Sequence, residues 1–268
     1  MIWDKENIIH QGSVILAGAG PGDPDLITLK LQKCLGLADV IIADRLVNPL
    51  IWELHASKNI DIVFAGKQGY NNASYSQDEV TELILAHARS RKKVLRLKGG
   101  DVAFFSNVLD ELEMLVKHQI PFEIIPGITS ASGASAYAGI PLTARGYAQG
   151  VQFLSFNPTV TYSEIFWKSL AQFEDTSVLY MASKNLGLFI DQMIGNGASE
   201  ATPIAVIEQA TTAHQKVHVS TLGNAPNNLL SIVFSSPSLV IVGNVVKLHD
   251  KFSWFQGMKK GSVFPNLP

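Results

Sequence analysis

Apolar residues fall into short runs that alternate with longer stretches of helical periodicity, the pattern of a parallel sheet covered by helices. Val14-Ile15-Leu16-Ala17 predicts a first buried strand, followed by a glycine loop and a helix over about 25–37. Val40-Ile41-Ile42-Ala43, Ile62-Val63-Phe64, Val94-Leu95-Arg96-Leu97 and Phe122-Glu123-Ile124-Ile125 predict four more strands. Ser76-Gln77-Asp78-Glu79 has capping-box spacing and should open a helix running towards Arg89. A second helix carries Val108, Leu112 and Leu115, and the small-residue segment 129–139 reads as a close-packed helix or linker. A second series of strands follows near 152–154, 178–181, 204–207, 216–219 and 239–242. The short connection between 204–207 and 216–219 favours an antiparallel pair. The expected class is therefore α/β: two α/β domains, 12–127 and 128–255, with an interdomain cleft. The N-terminal sheet should be largely parallel and the C-terminal one mixed. Residues beyond about Trp254 are expected to form a loosely held tail.

Composition narrows the function classes. A net charge of −2 and a pI near 6.4 argue against a dedicated nucleic-acid or membrane-surface binder, which needs a surplus of Lys and Arg. Cys34 is the sole cysteine, which excludes an internal disulfide and a Cys-rich metal site; its apolar helical setting reads as buried filler. The first six residues lack the basic-then-apolar order of a signal peptide, and no apolar run reaches the roughly 18 residues of a membrane span. A cytoplasmic location is the expectation. The seven histidines show no metal-ligand spacing, with His214 and His218 read as solvated, and no metal is expected.

Ligands in open α/β sheets bind outside the carboxyl ends of strands, which singles out five loops. Gly18-Ala19-Gly20-Pro21-Gly22-Asp23-Pro24 resembles a dinucleotide fingerprint, but its sixth position is Asp23, and Asp25 follows. Two carboxylates at a helix N-terminus oppose a pyrophosphate; a tight turn with capping acids is the plainer reading. In Lys98-Gly99-Gly100-Asp101 the carboxylate offers acceptors for ribose hydroxyls or an ammonium group, or closes a turn. Pro126-Gly127-Ile128-Thr129-Ser130 supplies two hydroxyls, with N-capping by Thr129 as the alternative. Asp44 stands where a Rossmann protein places its ribose-binding acid, against a structural Asp44–Arg45 contact. The fifth loop is Gly66-Lys67. In the second half Tyr180-Met181 ends a strand and Thr211-Thr212 lies in a strand-to-strand turn; Met181 by itself reads as core packing.

Taken in order, several runs resemble the tetrapyrrole methylase family, and within it the uroporphyrinogen-III C-methyltransferases. They are the first glycine loop, Asp44-Arg45-Leu46-Val47, Arg96-Leu97-Lys98-Gly99-Gly100-Asp101, Pro126-Gly127-Ile128-Thr129-Ser130, Ala136-Tyr137-Ala138-Gly139-Ile140-Pro141-Leu142-Thr143, Tyr180-Met181 and Asp250-Lys251-Phe252-Ser253-Trp254-Phe255. The resemblance implies a homodimer that binds S-adenosylmethionine in the cleft. It implies methylation of uroporphyrinogen III at C2 and C7, giving precorrin-2 and two molecules of S-adenosylhomocysteine, on the way to siroheme or cobalamin. By position, Pro21, Gly99, Gly100, Asp101, Phe104, Thr129, Ser130, Met181 and Ala210 would line the cofactor site. Asp44 matches the family's general base and Lys67 its acid. Arg45, Lys67, Arg145 and Lys184 are candidates for the substrate's carboxylates. A sulfonium cation without phosphate suits glycine loops bordered by acids.

The chain departs from the family pattern in places. Val102-Ala103-Phe104-Phe105-Ser106-Asn107-Val108 stands where the family has Pro-Phe-x-Phe-Gly-Arg-Gly, so a loop arginine is missing. Ala144 replaces a common histidine, and Ala182 and Ala210 stand where glycine is frequent. The chain lacks room for the dehydrogenase–chelatase module of some siroheme synthases, so a separate precorrin-2 dehydrogenase is the expected downstream partner. The competing readings are a later corrin-pathway methyltransferase, a nicotinamide oxidoreductase and a non-enzymatic ligand-binding protein.

Overall fold

A computed structural model of the chain describes residues 1–3, 12–65 and 77–264. The chain divides into two compact units, one from Met1–Ser130 and one from Ala131–Ser262.

The first unit is a parallel sheet in the order β3-β2-β4-β1-β5. Its elements are β1 (Ser13–Gly18), α1 (Leu29–Leu35), β2 (Val40–Asp44), α2 (Leu50–His55), β3 (Asp61–Ala65), α3 (Gln77–Arg89), β4 (Lys93–Lys98), α4 (Val108–Lys117) and β5 (Phe122–Ile125). All six residues of β1 are buried, as expected for a parallel strand covered on both faces. Residues of α1 and α2 pack on one face with Ile15, Ile41 and Leu95. Residues of α3 and α4 pack on the other with Val14, Val40 and Val94. From β1 the chain crosses β4 to reach β2, whereas from β4 it crosses β1 to reach β5. Connections that leave in opposite directions open a crevice at the carboxyl ends of these two strands.

The helix expected over 25–37 is shorter and interrupted. Asp23 caps a single 3-10 turn, Pro24–Leu26, and Thr28 then caps α1 by accepting the Leu31 amide. A second capping side chain inside the apolar period restarts the helix. The expected Ser76 cap lies outside the described residues, as do Gly66 and Lys67.

The second unit opens with α5 (Ser130–Ala138), so the small-residue segment is a helix. It continues with β6 (Val151–Ser155), α6 (Glu164–Ala171), β7 (Thr176–Tyr180), α7 (Leu186–Gly195), β8 (Pro203–Glu208), β9 (Lys216–Thr221), α8 (Ala225–Asn228), β10 (Ser238–Val242) and α9 (His249–Phe252). The sheet order is β6-β7-β10-β8-β9. β6 and β7 are parallel and the other pairs antiparallel, including β8 with β9. The sheet is mixed, as the short 208–216 connection implied.

The residues after Trp254 do not form a loose tail. The Lys259 amide donates to the Ala213 carbonyl at 2.9 Å, and Gln209 Nε2 donates to the Gly261 carbonyl at 3.0 Å. Trp254 donates to the Ala136 carbonyl at 2.9 Å, and its ring lies 5.0 Å from Tyr137. Hydrogen bonds to the β8–β9 turn hold this segment instead.

Candidate active site

In the first unit, the loops after β1, β4 and β5 are locked together by main-chain contacts. Gly20 and Gly100 exchange two hydrogen bonds, at 3.0 and 2.8 Å. Gly100 has φ of 69°, a left-handed conformation that costs glycine nothing. A Cβ on Gly127 would lie 2.3 Å from the Gly100 carbonyl oxygen and 2.7 Å from that of Gly18. Asp101, 8% exposed, ties the same loops. Its Oδ1 accepts the Ala103 amide at 2.8 Å and its Oδ2 the Gly127 amide at 2.7 Å. A carboxylate that accepts two backbone amides fixes geometry first; each oxygen keeps a further lone pair for a ligand. Asp23 likewise spends an oxygen on capping. The structure thus brings Gly99, Gly100, Asp101 and Ser130 together, and Pro21 and Phe104 lie on the same joined loops.

Asp44 ends β2 at this carboxyl edge, with 30% of its side chain exposed. Its partner is not the neighbouring Arg45 but Arg96 of β4, whose Nη2 donates to Asp44 Oδ1 at 2.5 Å. Behind it lies a buried ionic cluster. Arg96 Nε donates to Glu111 Oε1 at 3.0 Å, and Lys98 Nζ reaches the same oxygen at 3.1 Å. Lys98 also donates to the Ser106 carbonyl at 2.7 Å. Burial works against the Arg96 charge, but the Asp44 and Glu111 carboxylates outweigh it and hold its pKa above the ordinary value. Burial, reinforced by the Arg96 charge, pulls the Lys98 ammonium below its usual range. Sequence reasoning gave Arg96 and Lys98 no role beyond their place in a family run and passed over Glu111. Two cations at alternate positions of an otherwise apolar buried strand were the available signal, because charges are almost never fully buried unless paired.

In the second unit, β7 and β8 both run antiparallel to the β10 strand between them, so their carboxyl ends share an edge. Met181 and Lys184 follow β7, and Ala210 follows β8. Met181 is 61% exposed and has φ of 60°; it presents its thioether at the surface rather than packing into the core. Ala210 is flanked by Gln209 and Thr211, both buried and both at positive φ, 43° and 67°. Such conformations persist only where surroundings over-determine them. Here Gln215 Oε1 accepts the Thr211 amide at 2.8 Å, and Thr212 Oγ1 donates to the Gln209 carbonyl at 2.8 Å. Arg145 is not gathered with these residues. It precedes Gly146–Gln149, which line a hollow with Asp175, Thr202 and Gly243 at the opposite edge of the sheet.

Of the two histidines expected to be solvated, His218 is engaged by a carboxylate, and His214 has a buried ring nitrogen without a hydrogen-bond partner among the described residues. His218 Nε2 lies 2.6 Å from Oε1 of buried Glu208. Among the described residues no group of three or more His, Cys, Asp or Glu side chains is placed to hold a metal ion. No described helix is long and apolar enough to cross a membrane.

A family model for tetrapyrrole (corrin/porphyrin) methylases matches residues 13–226, most of both units. The chain belongs to this family. Siroheme synthase of Pseudomonas fluorescens is 41% identical over 254 residues, 95% of this chain and 54% of that protein. Siroheme synthase of Pseudomonas aeruginosa is 42% identical over 252 residues, 94% of this chain and 54% of that one. The chain therefore spans about half the length of the curated relatives it matches. A uroporphyrin-III C-methyltransferase from Thermus thermophilus, solved with S-adenosylhomocysteine, superposes with a TM-score of 0.74 at 32% identity, over 88% of this chain and 100% of that one. A cobalt precorrin-4 methyltransferase gives a TM-score of 0.77 at 26% identity, over 87% of this chain and 95% of that one. In a tetrapyrrole methylase, loops of glycine backbone and an edge carboxylate suit a cationic methyl donor better than a phosphate ligand.

Proposed function

We propose that this methyltransferase carries out S-adenosylmethionine-dependent C-methylation of uroporphyrinogen III at C2 and C7, giving precorrin-2. The observation that carries the reading is the likeness, over 88% of this chain, to a uroporphyrin-III C-methyltransferase solved with S-adenosylhomocysteine. The local geometry fits the donor. The Gly100 and Gly127 backbones leave no room for a Cβ between the loops, and no lysine or arginine of the described residues belongs to the first glycine loop. The donor supplies an electrophilic methyl group on a sulfonium.

In this reading Pro21, Gly99, Gly100, Asp101, Phe104, Thr129 and Ser130 of the first unit bind the cofactor, with Met181 and Ala210 of the second. Asp44, fixed by Arg96 yet open at the edge, takes up the proton lost from the methylated pyrrole position or stabilises the positive charge that develops there. Lys67, outside the described residues, would be the acid. Arg45 and Lys184 are the cations for the substrate's carboxylates. The working form is a homodimer.

The test is incubation of purified protein with S-adenosylmethionine and enzymatically generated uroporphyrinogen III, with products identified by mass. A doubly methylated product with two equivalents of S-adenosylhomocysteine is expected. Methylation only of a later corrin intermediate would favour the precorrin-methyltransferase reading, which the likeness to the cobalt precorrin-4 enzyme supports.

A further inference from the structure

We propose that Glu111 is a positioning residue for methyl transfer: it fixes the Arg96 guanidinium that holds Asp44 and anchors Lys98 beneath the loop 102–107. The inference rests on the reading of Asp44 as the reacting carboxylate.

The face of the sheet under α3 and α4 is otherwise built from Val14, Leu16, Val40, Ile42 and Val94. Into it the chain places side chains that are 3% (Arg96), 2% (Lys98) and 0% (Glu111) exposed. Buried ion pairs are weak evidence for stability, since well-packed apolar residues of similar volume often replace them at little cost, although removing a single partner destabilises. What the cluster does supply is direction. Arg96 donates to Glu111 through Nε, to the Ile42 and Leu97 carbonyls through Nη1 at 3.3 and 3.1 Å, and to Asp44 through Nη2. A planar fork held by three bonds at two of its nitrogens presents the third along one line, which sets the direction from which Asp44 Oδ1 is held. The same Glu111 oxygen receives Lys98, whose other bond is to Ser106 in the loop that carries Phe104. That loop holds Phe105 and Asn107 at φ of 52° and 50°. One carboxylate thus registers the Asp44 side chain and the Phe104 loop against the same point.

The test compares Glu111→Gln, Arg96→Lys and Asp44→Asn in the full chain. For each, kcat and KM with uroporphyrinogen III, affinity for S-adenosylhomocysteine by calorimetry and thermal stability are measured. Glu111→Gln keeps the shape and removes the charge; Arg96→Lys keeps a buried cation but loses the fork. Both are expected to lower kcat about ten- to hundredfold, the scale of a small misplacement of a reacting group. KM and S-adenosylhomocysteine affinity should stay within about twofold. The proposal is overturned if either folded variant keeps wild-type kcat, if kcat and cofactor affinity fall together, or if neither variant folds, which would assign the cluster to folding alone. An unimpaired Asp44→Asn would instead remove the base reading on which the inference rests.

Discussion

The two units reach similar loop geometry by opposite means. At the carboxyl edge of the parallel sheet, tight approaches are made by glycine: Gly20 with Gly100, and Gly127 against the Gly18 and Gly100 carbonyls. At the corresponding edge of the mixed sheet, the turns around the family positions are made by Met181, Gln209 and Thr211 at positive φ. A β-branched threonine in that region is strained, and the side-chain bonds of Gln215 and Thr212 keep it there. Where the loops after β1, β4 and β5 meet, the first unit removes side chains so that backbones can touch; the turns after β7 and β8 keep them and store strain. The charged chemistry also divides unevenly. The four-residue ionic cluster belongs to the first unit, whereas the second carries the smaller Glu208–His218 pair. A fixed loop backbone therefore does not demand glycine; either absent side chains or compensated strain can provide it.

The largest effect expected is on the charged side of this comparison. Asp44→Asn should lower single-turnover methylation per folded molecule by about 10²–10⁴, with S-adenosylhomocysteine affinity nearly unchanged and a lower melting temperature, because buried Arg96 loses a charged partner. A ribose-binding Asp44 would instead show weakened cofactor binding, and a purely structural one a lower melting temperature with activity retained per folded molecule.

The glycine contacts come next. Gly127→Ala puts a methyl group against two backbone carbonyls that cannot rotate away. A loss of about 3 kcal/mol, at the upper end of overpacking costs, is expected in denaturant titration. A loss below about 1 kcal/mol would show that the loops have slack.

Strain in the second unit predicts the opposite sign. Thr211→Gly should raise stability by up to about 1 kcal/mol, because relief of a left-handed β-branched residue exceeds the added freedom of the unfolded chain. Destabilisation would mean that the threonine side chain contributes more than its backbone costs.

The smallest effect is the pH dependence of the Glu208–His218 pair. Burial pushes the Glu208 carboxyl up, but hydrogen bonds from His218 and the Ser235 amide prevail and hold it below the usual carboxylate range. A depressed folded pKa stabilises the native state above the unfolded value of about 4.3, and that stability is lost as pH falls through the lower folded value. Glu208→Gln should therefore flatten the stability curve of the second unit below about pH 4.3 and change it little near pH 7. An unchanged acid limb would place the acid sensitivity elsewhere.

What was legible from sequence follows from where the determining interactions lie. Period and composition sufficed for the strands, for the parallel character of one sheet and the mixed character of the other, and for the ordered runs that identify the family. Those signals depend on a residue and its chain neighbours, or on whether a face is buried. The interruption between Pro24–Leu26 and α1 was locally encoded by Thr28, but two capping residues close together compete and only the packed helix selects between them. The partner of Asp44 could not be read at all. Arg45 adjoins it in sequence, yet strand pairing of β2 with β4 places Arg96 beside it, and Glu111 arrives only when α4 covers that face. Asp101 could be read as a ligand acceptor, but not as the tie between the β4 and β5 loops that the Gly127 amide makes of it. Strand pairing and helix packing join residues tens of positions apart, and an ionic or hydrogen-bonded partner is a property of that juxtaposition. The sequence by itself determined which elements form and which family they compose; the tertiary structure alone decided which charges meet, because only the packed sheet brings them within bonding distance and away from water.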